Sequence, residues 1–245
     1  MNLIDTHCHL NDFGEETETV LARAKEALVE SMIACGTETA DWHWHYDLAK
    51  SHPHIHYTVG MHPLNVHENW ERDLESLESF FQKDLPPIAI GEIGLDFHLL
   101  EKNDTETVAL QREIFHQQLL IANKKNCPII IHARDTLEDC RTMIDRADCD
   151  WSKIVIHCFS RDANAIRTIN SRGGRGSFTG TITYNNAENV RQALVAQGTE
   201  RLMLETDCPY LSPVPFRSKK NEPAFLGVIA TCAANLLGIS EPELR

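Results

Sequence analysis

Eight apolar, strand-like stretches alternate along the chain with eight stretches of helical periodicity, and this alternation limits the possible folds more than any other feature. Most of the apolar stretches are nearly uninterrupted, which is typical of parallel strands buried on both faces. Eight strand–helix units in 245 residues predict an α/β fold, a (β/α)8 TIM barrel. The predicted strands span residues 3–10, 31–37, 56–63, 87–96, 128–135, 153–160, 176–183 and 201–207.

The predicted helices follow these strands, and a doubly wound open sheet is the alternative arrangement of the same units. No Gly-x-Gly-x-x-Gly motif follows the first strand, which weakens the nucleotide-binding form of that alternative. The helices are expected at residues 15–30, 41–50, 70–82, 104–126, 136–147, 162–171, 187–197 and 223–237.

We expect a single domain over residues 1–245. Close to the end of the chain, the sequence Ser-Glu-Pro-Glu at 240–243 has the pattern of a capping box that begins a helix. The chain stops two residues later, so the sequence is compatible with a domain that lacks a short C-terminal helix.

The composition narrows the environment and the partners of the protein. The formal net charge of −13 disfavours a broad basic surface for nucleic acid, but it does not exclude a local site where metals carry the positive charge. Eight scattered cysteines without a C-x-x-C motif indicate free thiols in a reducing compartment. No signal-peptide pattern or membrane-length apolar stretch is present, so we expect a cytoplasmic monomer without membrane contact.

Imidazole or carboxylate side chains end five of the predicted strands. In the first strand, side chains two apart share a face, so His7 and His9 point the same way, and Asp5 could orient a ligand histidine from behind. The carboxyl ends of barrel strands open on one face, where barrel enzymes keep their active sites. The strand-end residues are His7 and His9, Glu92, His132, His157 and Asp207.

Four imidazoles and two carboxylates exceed the needs of one zinc ion and suit a two-metal centre with Glu92 as the bridging carboxylate. Each residue by itself could equally be an ordinary polar residue at a strand end. The nitrogen donors favour zinc, manganese, cobalt or iron over magnesium, but a mixed nitrogen and oxygen site does not settle the identity of the metal.

The ordered motifs around these residues resemble the TatD family of metal-dependent hydrolases, and the match extends from about Ile4 to the end of the chain. The motifs are His7-Cys8-His9, Val59-Gly60-Met61-His62-Pro63, Gly91-Glu92-Ile93-Gly94-Leu95-Asp96, Ile131-His132-Ala133-Arg134, His157-Cys158-Phe159-Ser160, Glu205-Thr206-Asp207-Cys208-Pro209-Tyr210-Leu211, Pro213-Val214-Pro215 and Asn221-Glu222-Pro223.

The resemblance implies an amidohydrolase-type barrel with two divalent metal ions (zinc, magnesium or manganese) and hydrolysis of phosphodiester bonds, typically as a 3′–5′ exonuclease on DNA. Single-stranded DNA or 3′ ends would be the substrate. Some relatives are linked instead to deacylation of D-aminoacyl-tRNA, and a small-molecule ester or phosphoester is a further alternative. A non-catalytic barrel is the remaining possibility, but its ligand set would be degenerate, whereas all six ligands are present here.

By motif, the resemblance assigns the six ligands to two metals. It implies one metal held by His7, His9 and Asp207, a second held by His132 and His157, and Glu92 between them. Three positions, His98, Arg161 and Ser218, depart from the usual family pattern, which bears on substrate choice more than on the chemistry.

Further residues are candidates for catalytic or substrate-binding roles. Asp207 and Glu92, which would lie beside the metals, are the candidate catalytic residues. Of the two, Asp207 is the candidate proton acceptor. Glu205 lies on the strand face of Asp207 and would either orient a ligand or pair with an arginine. Arg134 could grip a phosphate with two hydrogen bonds or form a structural salt bridge.

The loops predicted above the barrel offer other substrate contacts. His62 could donate a hydrogen bond to a non-bridging phosphate oxygen or make a structural one. Arg217, with Lys219 and Lys220, could attract a nucleic-acid backbone, or these side chains could simply be solvated.

Overall fold

The computed structural model describes residues 3–98, 100–101 and 104–244, and within them strands and helices alternate through the first seven strand–helix units. The strands are β1 (Leu3–Cys8), β2 (Val29–Ala34), β3 (Ile55–Val59), β4 (Ala89–Asp96), β5 (Ile129–Arg134), β6 (Ile154–Ile156) and β7 (Arg175–Gly176). The α-helices are α1 (Thr17–Glu26), α2 (Thr39–Ser51), α3 (Trp70–Phe80), α4 (Thr105–Lys125), α5 (Leu137–Arg146), α6 (Ala163–Arg172), α7 (Glu188–Gln197), α8 (Leu226–Leu237) and α9 (Glu241–Leu244).

Local sequence signals set several helix boundaries. Helix α4 begins after Asp104, whose side chain accepts a hydrogen bond from the Thr107 N–H at 3.0 Å, and it ends at Asn126 in a left-handed conformation. At α9, the Glu243 carboxylate accepts a hydrogen bond from the Ser240 N–H at 2.8 Å, which is one of the two bonds of the predicted capping box. None of the helices in the described residues is long and apolar enough to cross a membrane.

The described residues form two compact units. The first unit lies within Met1–Ala34, Pro53–His56 and His157–Arg245, and the second lies within Cys35–His52 and Tyr57–Ile156.

In the first unit, β1 pairs in parallel with β2, with Asp5 opposite Met32. On its other side, β1 meets the segment 204–207, because the Thr6 N–H donates to the Leu204 carbonyl at 3.3 Å and the Asp207 N–H donates to the His7 carbonyl at 2.9 Å. Leu204 forms an isolated parallel bridge with Phe178. The first motif and the Asp207 segment are therefore held side by side by backbone hydrogen bonds.

In the second unit, β4 is buried along its whole length between β3 and β5, and β5 pairs in parallel with β6. The β4–β5 register places Gly94 opposite His132. A Cβ atom on Gly94 would lie 2.0 Å from the His132 carbonyl oxygen, and φ of Gly94 is +145°, so only glycine fits there. This close approach allows the ligand-bearing ends of β4 and β5 to meet.

The main differences from the predicted elements lie near the seventh and eighth strands. The stretch 176–183 was predicted as a strand, but it forms only the end of β7 and then a 3-10 helix at Gly180–Thr183, since the Thr179 side chain accepts a hydrogen bond from the Thr181 N–H. The predicted eighth strand shows only the bridge at Leu204. The predicted first helix was also too long, because Val29 and Glu30 belong to β2.

Candidate metal centre

The alternation of β1 brings two imidazoles together on one buried face. The Nε2 atoms of His7 and His9 lie 3.3 Å apart, and their residues are 0% and 8% exposed. On the opposite face, the Cys8 thiol donates to the Ile33 carbonyl oxygen. The prediction that His7 and His9 share a face is confirmed, and Cys8 points away from them.

Asp207 completes this group. Its Oδ1 atom lies 3.6 Å from His7 Nε2 and 3.4 Å from His9 Nε2. Burial by itself would raise the pKa of the carboxyl group, but the hydrogen bond from His9 and the nearby imidazoles outweigh burial and hold the pKa of Asp207 below its usual range. Asp207 has a left-handed backbone (φ 56°), a conformation that non-glycine residues adopt rarely and often at functional sites.

His157 and Glu205 adjoin the same group. The His157 ring stacks on the His7 ring, with centroids 4.1 Å apart. Glu205 is fully buried and accepts hydrogen bonds from the Cys158 N–H at 2.7 Å and the Ser177 hydroxyl at 2.5 Å, and its Oε1 atom lies 3.6 Å from His157 Nδ1. Glu205 therefore positions the segment that carries His157, rather than pairing with an arginine.

Asp5 has a different role from the predicted one. Its carboxylate accepts hydrogen bonds from the Thr206 hydroxyl at 2.5 Å and the Thr206 N–H at 2.9 Å, and its contact with His7 is to the backbone N–H, not to the ring. Burial raises the pKa of Asp5 to about 7. Asp5 thus ties β1 to the segment before Asp207, and the prediction that it orients a histidine ring was wrong.

The second unit contains another group of imidazoles and carboxylates, centred on Glu92. Glu92 is 2% exposed, and its Oε1 atom lies 2.7 Å from His132 Nδ1 and 3.4 Å from His62 Nε2. The Glu92 N–H donates to the Gly36 carbonyl at 2.7 Å, which fixes the backbone of β4 at this point.

Asp96, which sequence reasoning did not single out, lies on the far side of the His132 ring. Its Oδ2 atom is 3.0 Å from His132 Nε2, and its Oδ1 atom accepts a hydrogen bond from the His98 N–H at 2.9 Å. Burial acts to raise the pKa of Asp96, but the contact with His132 and the His98 N–H outweigh it and lower the pKa. The signal was present in the sequence, because Glu92, Gly94 and Asp96 alternate along one strand and so share a face.

The structure also locates the three predicted substrate-binding residues. His62 belongs to the Glu92 group, and its Nδ1 atom accepts a hydrogen bond from the Leu64 N–H at 3.1 Å. Arg134 is exposed at the end of β5, and none of the described carboxylates pairs with it within 4 Å. The Arg217 guanidinium lies 3.8 Å from the centroid of the Tyr184 ring.

The two basic residues near Arg217 are partly engaged. Lys219 lies 5.2 Å from the Phe216 ring centroid. Lys220 donates to the Asp12 carbonyl oxygen at 3.0 Å and lies 4.3 Å from the Phe13 ring centroid. All three basic side chains of this loop remain exposed.

The donor atoms fit a divalent metal ion. Each neutral imidazole has one unprotonated nitrogen, which can bind a cation as a carboxylate oxygen can, and several such atoms converge here. The groups whose ligand atoms lie within 4.8 Å of one another are His7–His9–Asp207, His7–His157–Glu205 and His62–Glu92–His132. Three convergent protein ligands are usual in catalytic zinc sites. The number of metals and the residues that share each one stay predictions.

Parallel strand–helix units with such groups at the strand ends are typical of metal-dependent hydrolases, and comparison with known proteins agrees. The sequence model of the family described as TatD related DNase matches residues 4–245. The chain is 32% identical to the metal-dependent hydrolase YabD of Bacillus subtilis, over 99% of this chain and 94% of that protein. It is also 32% identical to the metal-dependent hydrolase YcfH of Escherichia coli K12, over 100% and 91% of the two chains.

Solved structures show the same fold. The crystal structure of YjjV, a TatD homologue from E. coli K12, has a TM-score of 0.89 and 28% identity, covering 99% of this chain and 93% of that one. The phosphotriesterase homology protein from E. coli has a TM-score of 0.72 and 14% identity, covering 100% and 95%. The predicted fold class, a TIM barrel of the metal-dependent hydrolase type, is confirmed. The protein belongs to the TatD family and is a metal-dependent hydrolase.

Proposed function

We propose that this hydrolase is a deoxyribonuclease that uses divalent metal ions to remove nucleotides from the 3′ end of single-stranded DNA. The observation that carries the proposal is the buried group of Asp207 with His7 and His9, whose donor atoms lie 3.3–3.6 Å apart. The description of the matching family as DNase supports DNA as the substrate.

Some side chains of this group would bind a metal, and one would also accept a proton. His7, His9 and Asp207 would hold one cation, and Glu92, His132 and His157 are the further predicted ligands. When bound, a divalent cation supplies positive charge that polarises a phosphodiester. The Asp207 carboxylate, with its lowered pKa, is ionised at neutral pH and would accept the proton from the attacking water. Glu205 keeps His157 in place through its bonds to the Cys158 N–H and to Ser177.

Two exposed arginines are suited to the phosphate backbone. Arg134 is not tied to a described carboxylate, so its guanidinium remains available for a bidentate phosphate contact. Arg217 is held against the Tyr184 ring, which restricts its movement without neutralising its charge. The net charge of −13 disfavours contact with a long duplex. Two local cations are instead suited to a few phosphates at the end of a strand.

The test is hydrolysis of end-labelled single-stranded DNA by metal-stripped protein, with magnesium, manganese, zinc or no metal added. We expect stepwise shortening from the 3′ end that requires added metal. If the protein binds metal and cleaves a D-aminoacyl ester but cleaves no DNA under the same conditions, the nuclease proposal is refuted. The protein would then be a metal-dependent esterase.

A pair of variants tests the part played by Asp207. Asp207→Asn should abolish hydrolysis, because the amide can neither bind a cation as strongly nor accept the proton. Asp148→Asn is the matched control, since Asp148 also has a left-handed backbone (φ 55°) but is exposed, and we expect it to keep full activity. Near-native turnover by Asp207→Asn would remove the assigned role.

A further inference from the structure

Tyr210 is unusual among the aromatic residues of the protein. All phenylalanine, tyrosine and tryptophan residues lie within the described part of the chain, and Tyr210 is the one whose side chain is exposed, at 55%. Its ring lies edge-on to the His9 ring, with the centroids 6.0 Å apart and the planes at 70°. The exposed aromatic ring is therefore next to the His7–His9–Asp207 group.

The Tyr210 ring is also held in place. Its hydroxyl donates to Asp12 Oδ2 at 3.0 Å, and its N–H donates to the Asp207 carbonyl at 3.0 Å. The Tyr210 carbonyl accepts a hydrogen bond from the Nδ2 atom of Asn221, which is fully buried and also binds the Thr206 carbonyl at 2.8 Å. A ligand that contacts this ring would lose little free energy in ordering it, because the protein has already fixed both ends of the residue.

Single exposed apolar residues are common on protein surfaces and need no special explanation. Tyr210 differs because its side chain is aromatic, is held by hydrogen bonds and contacts the ring of His9, a candidate metal ligand. Rigid exposed aromatic rings are what single-stranded nucleic-acid binding proteins use as stacking platforms, and every base has a face that can stack. Stacking is also independent of charge, so it suits a chain with a net charge of −13.

We propose that the Tyr210 ring is the stacking platform for a nucleobase at the end of the DNA strand, so that it forms a base subsite beside the His7–His9–Asp207 group. This inference rests on the proposed nuclease function and names the part of the substrate that the site recognises. The subsite accepts a base that is unpaired and unstacked, and it is indifferent to base identity. Lys220, which is held to the Asp12 carbonyl, places a positive charge on the same loop for the neighbouring phosphate.

The inference is tested by removing the ring from the protein and the base from the DNA, separately and together. The substrates are a single-stranded oligonucleotide and matched oligonucleotides with an abasic tetrahydrofuran residue at each of the last three 3′ positions. Tyr210→Leu should raise KM for the normal strand about tenfold with little change in kcat, as expected for the loss of one stacked base. With the abasic residue at the stacking position, wild type and Tyr210→Leu should have the same KM.

Tyr210→Phe is the control, because it keeps the ring and removes the hydroxyl that donates to Asp12. We expect it to stay close to wild type on every substrate. A KM increase in Tyr210→Leu that is equal on normal and abasic strands, or no increase at all, would overturn the subsite.

Equilibrium binding separates this inference from the proposed function. Fluorescence anisotropy of labelled oligonucleotides on protein with the Asp207→Asn change, with and without Tyr210→Leu, gives the same comparison without turnover. If wild type cuts no DNA but DNA binding still depends on both the Tyr210 ring and the base, the base subsite is supported and the proposed nuclease function is refuted. If DNA binding is independent of Tyr210, the base subsite is refuted, whether or not the protein cleaves DNA.

Discussion

Asp96 offers the sharpest test of how the protein prepares a metal ligand. A carboxylate can only accept hydrogen bonds, so the 3.0 Å contact from Asp96 Oδ2 keeps the proton of His132 on Nε2. Glu92 Oε1 likewise faces Nδ1 at 2.7 Å, so a cation bound there would replace a proton on Nδ1 while Asp96 keeps the other proton on Nε2. Asp96→Asn preserves size but lets the side chain present its amide N–H to Nε2, which moves the imidazole proton to Nδ1.

The structure sets the size of the expected effect. The side chain of Asp96 is buried, and hydrogen bonds to charged groups contribute about 1.5–3 kcal/mol. Removal of such an outer partner of a ligand histidine typically lowers metal affinity about 10–100-fold. We therefore expect Asp96→Asn to bind zinc or manganese about 10–100-fold more weakly than wild type.

Competition against a chromogenic chelator measures this affinity, and ¹⁵N–¹H correlation spectra of the metal-free protein show which ring nitrogen of His132 carries the proton. Asp135→Asn is the matched control, because Asp135 is exposed and its carboxylate lies 2.9 Å from His98 Nδ1 rather than against the His132 ring. If Asp96→Asn binds metal as tightly as Asp135→Asn and His132 keeps its Nε2 proton, the reasoning is refuted.

Three further predictions concern stability and reactivity. Glu78→Gln removes the ion pair with Lys124 (2.8 Å), which lowers the pKa of Glu78. The ion pair stabilises the folded protein above the unfolded pKa of 4.5, and its contribution decreases as the pH falls below that value. Urea unfolding should therefore show a loss of about 0.2–1 kcal/mol at pH 7 and a smaller loss in acid, whereas equal losses at both would contradict this. Asp162→Ala removes the N-terminal cap of α6 and should lower the free energy of unfolding by about 0.5–2 kcal/mol, whereas Asp162→Asn should change it little. Burial raises the pKa of the Cys140 thiol to about 12, so mass spectrometry should find it alkylated by iodoacetamide only after unfolding, and rapid labelling of the native protein would disprove this.

Much of the fold and part of the site could be predicted from local patterns. The apolar runs predicted the first six strands, although several of their boundaries differ by a few residues. The period-two alternation of β1 placed His7 and His9 on one face, and the structure confirms it. These features depend on residues close together in sequence, which is why periodicity was sufficient.

The prediction failed where short-range hydrogen bonds competed with strand pairing. Thr179 accepts a hydrogen bond from the Thr181 N–H and so favours a 3-10 helix at a place where an apolar run predicted a strand. Asp5 was expected to meet a histidine ring, but Thr206 offers it two donors from a segment 201 residues away. Nothing local in the sequence distinguishes those two partners.

The sequence by itself determined the order of strands and helices, the ligand types at the strand ends and the family. The tertiary structure alone decided that Asp96 holds His132, which is 36 residues away, because the β4–β5 register brings them together. It alone decided that Tyr210 is fixed and exposed beside His9, 201 residues earlier in the chain. The physical reason is that periodicity fixes which face of an element a side chain occupies, whereas its partner depends on the register and packing of distant segments.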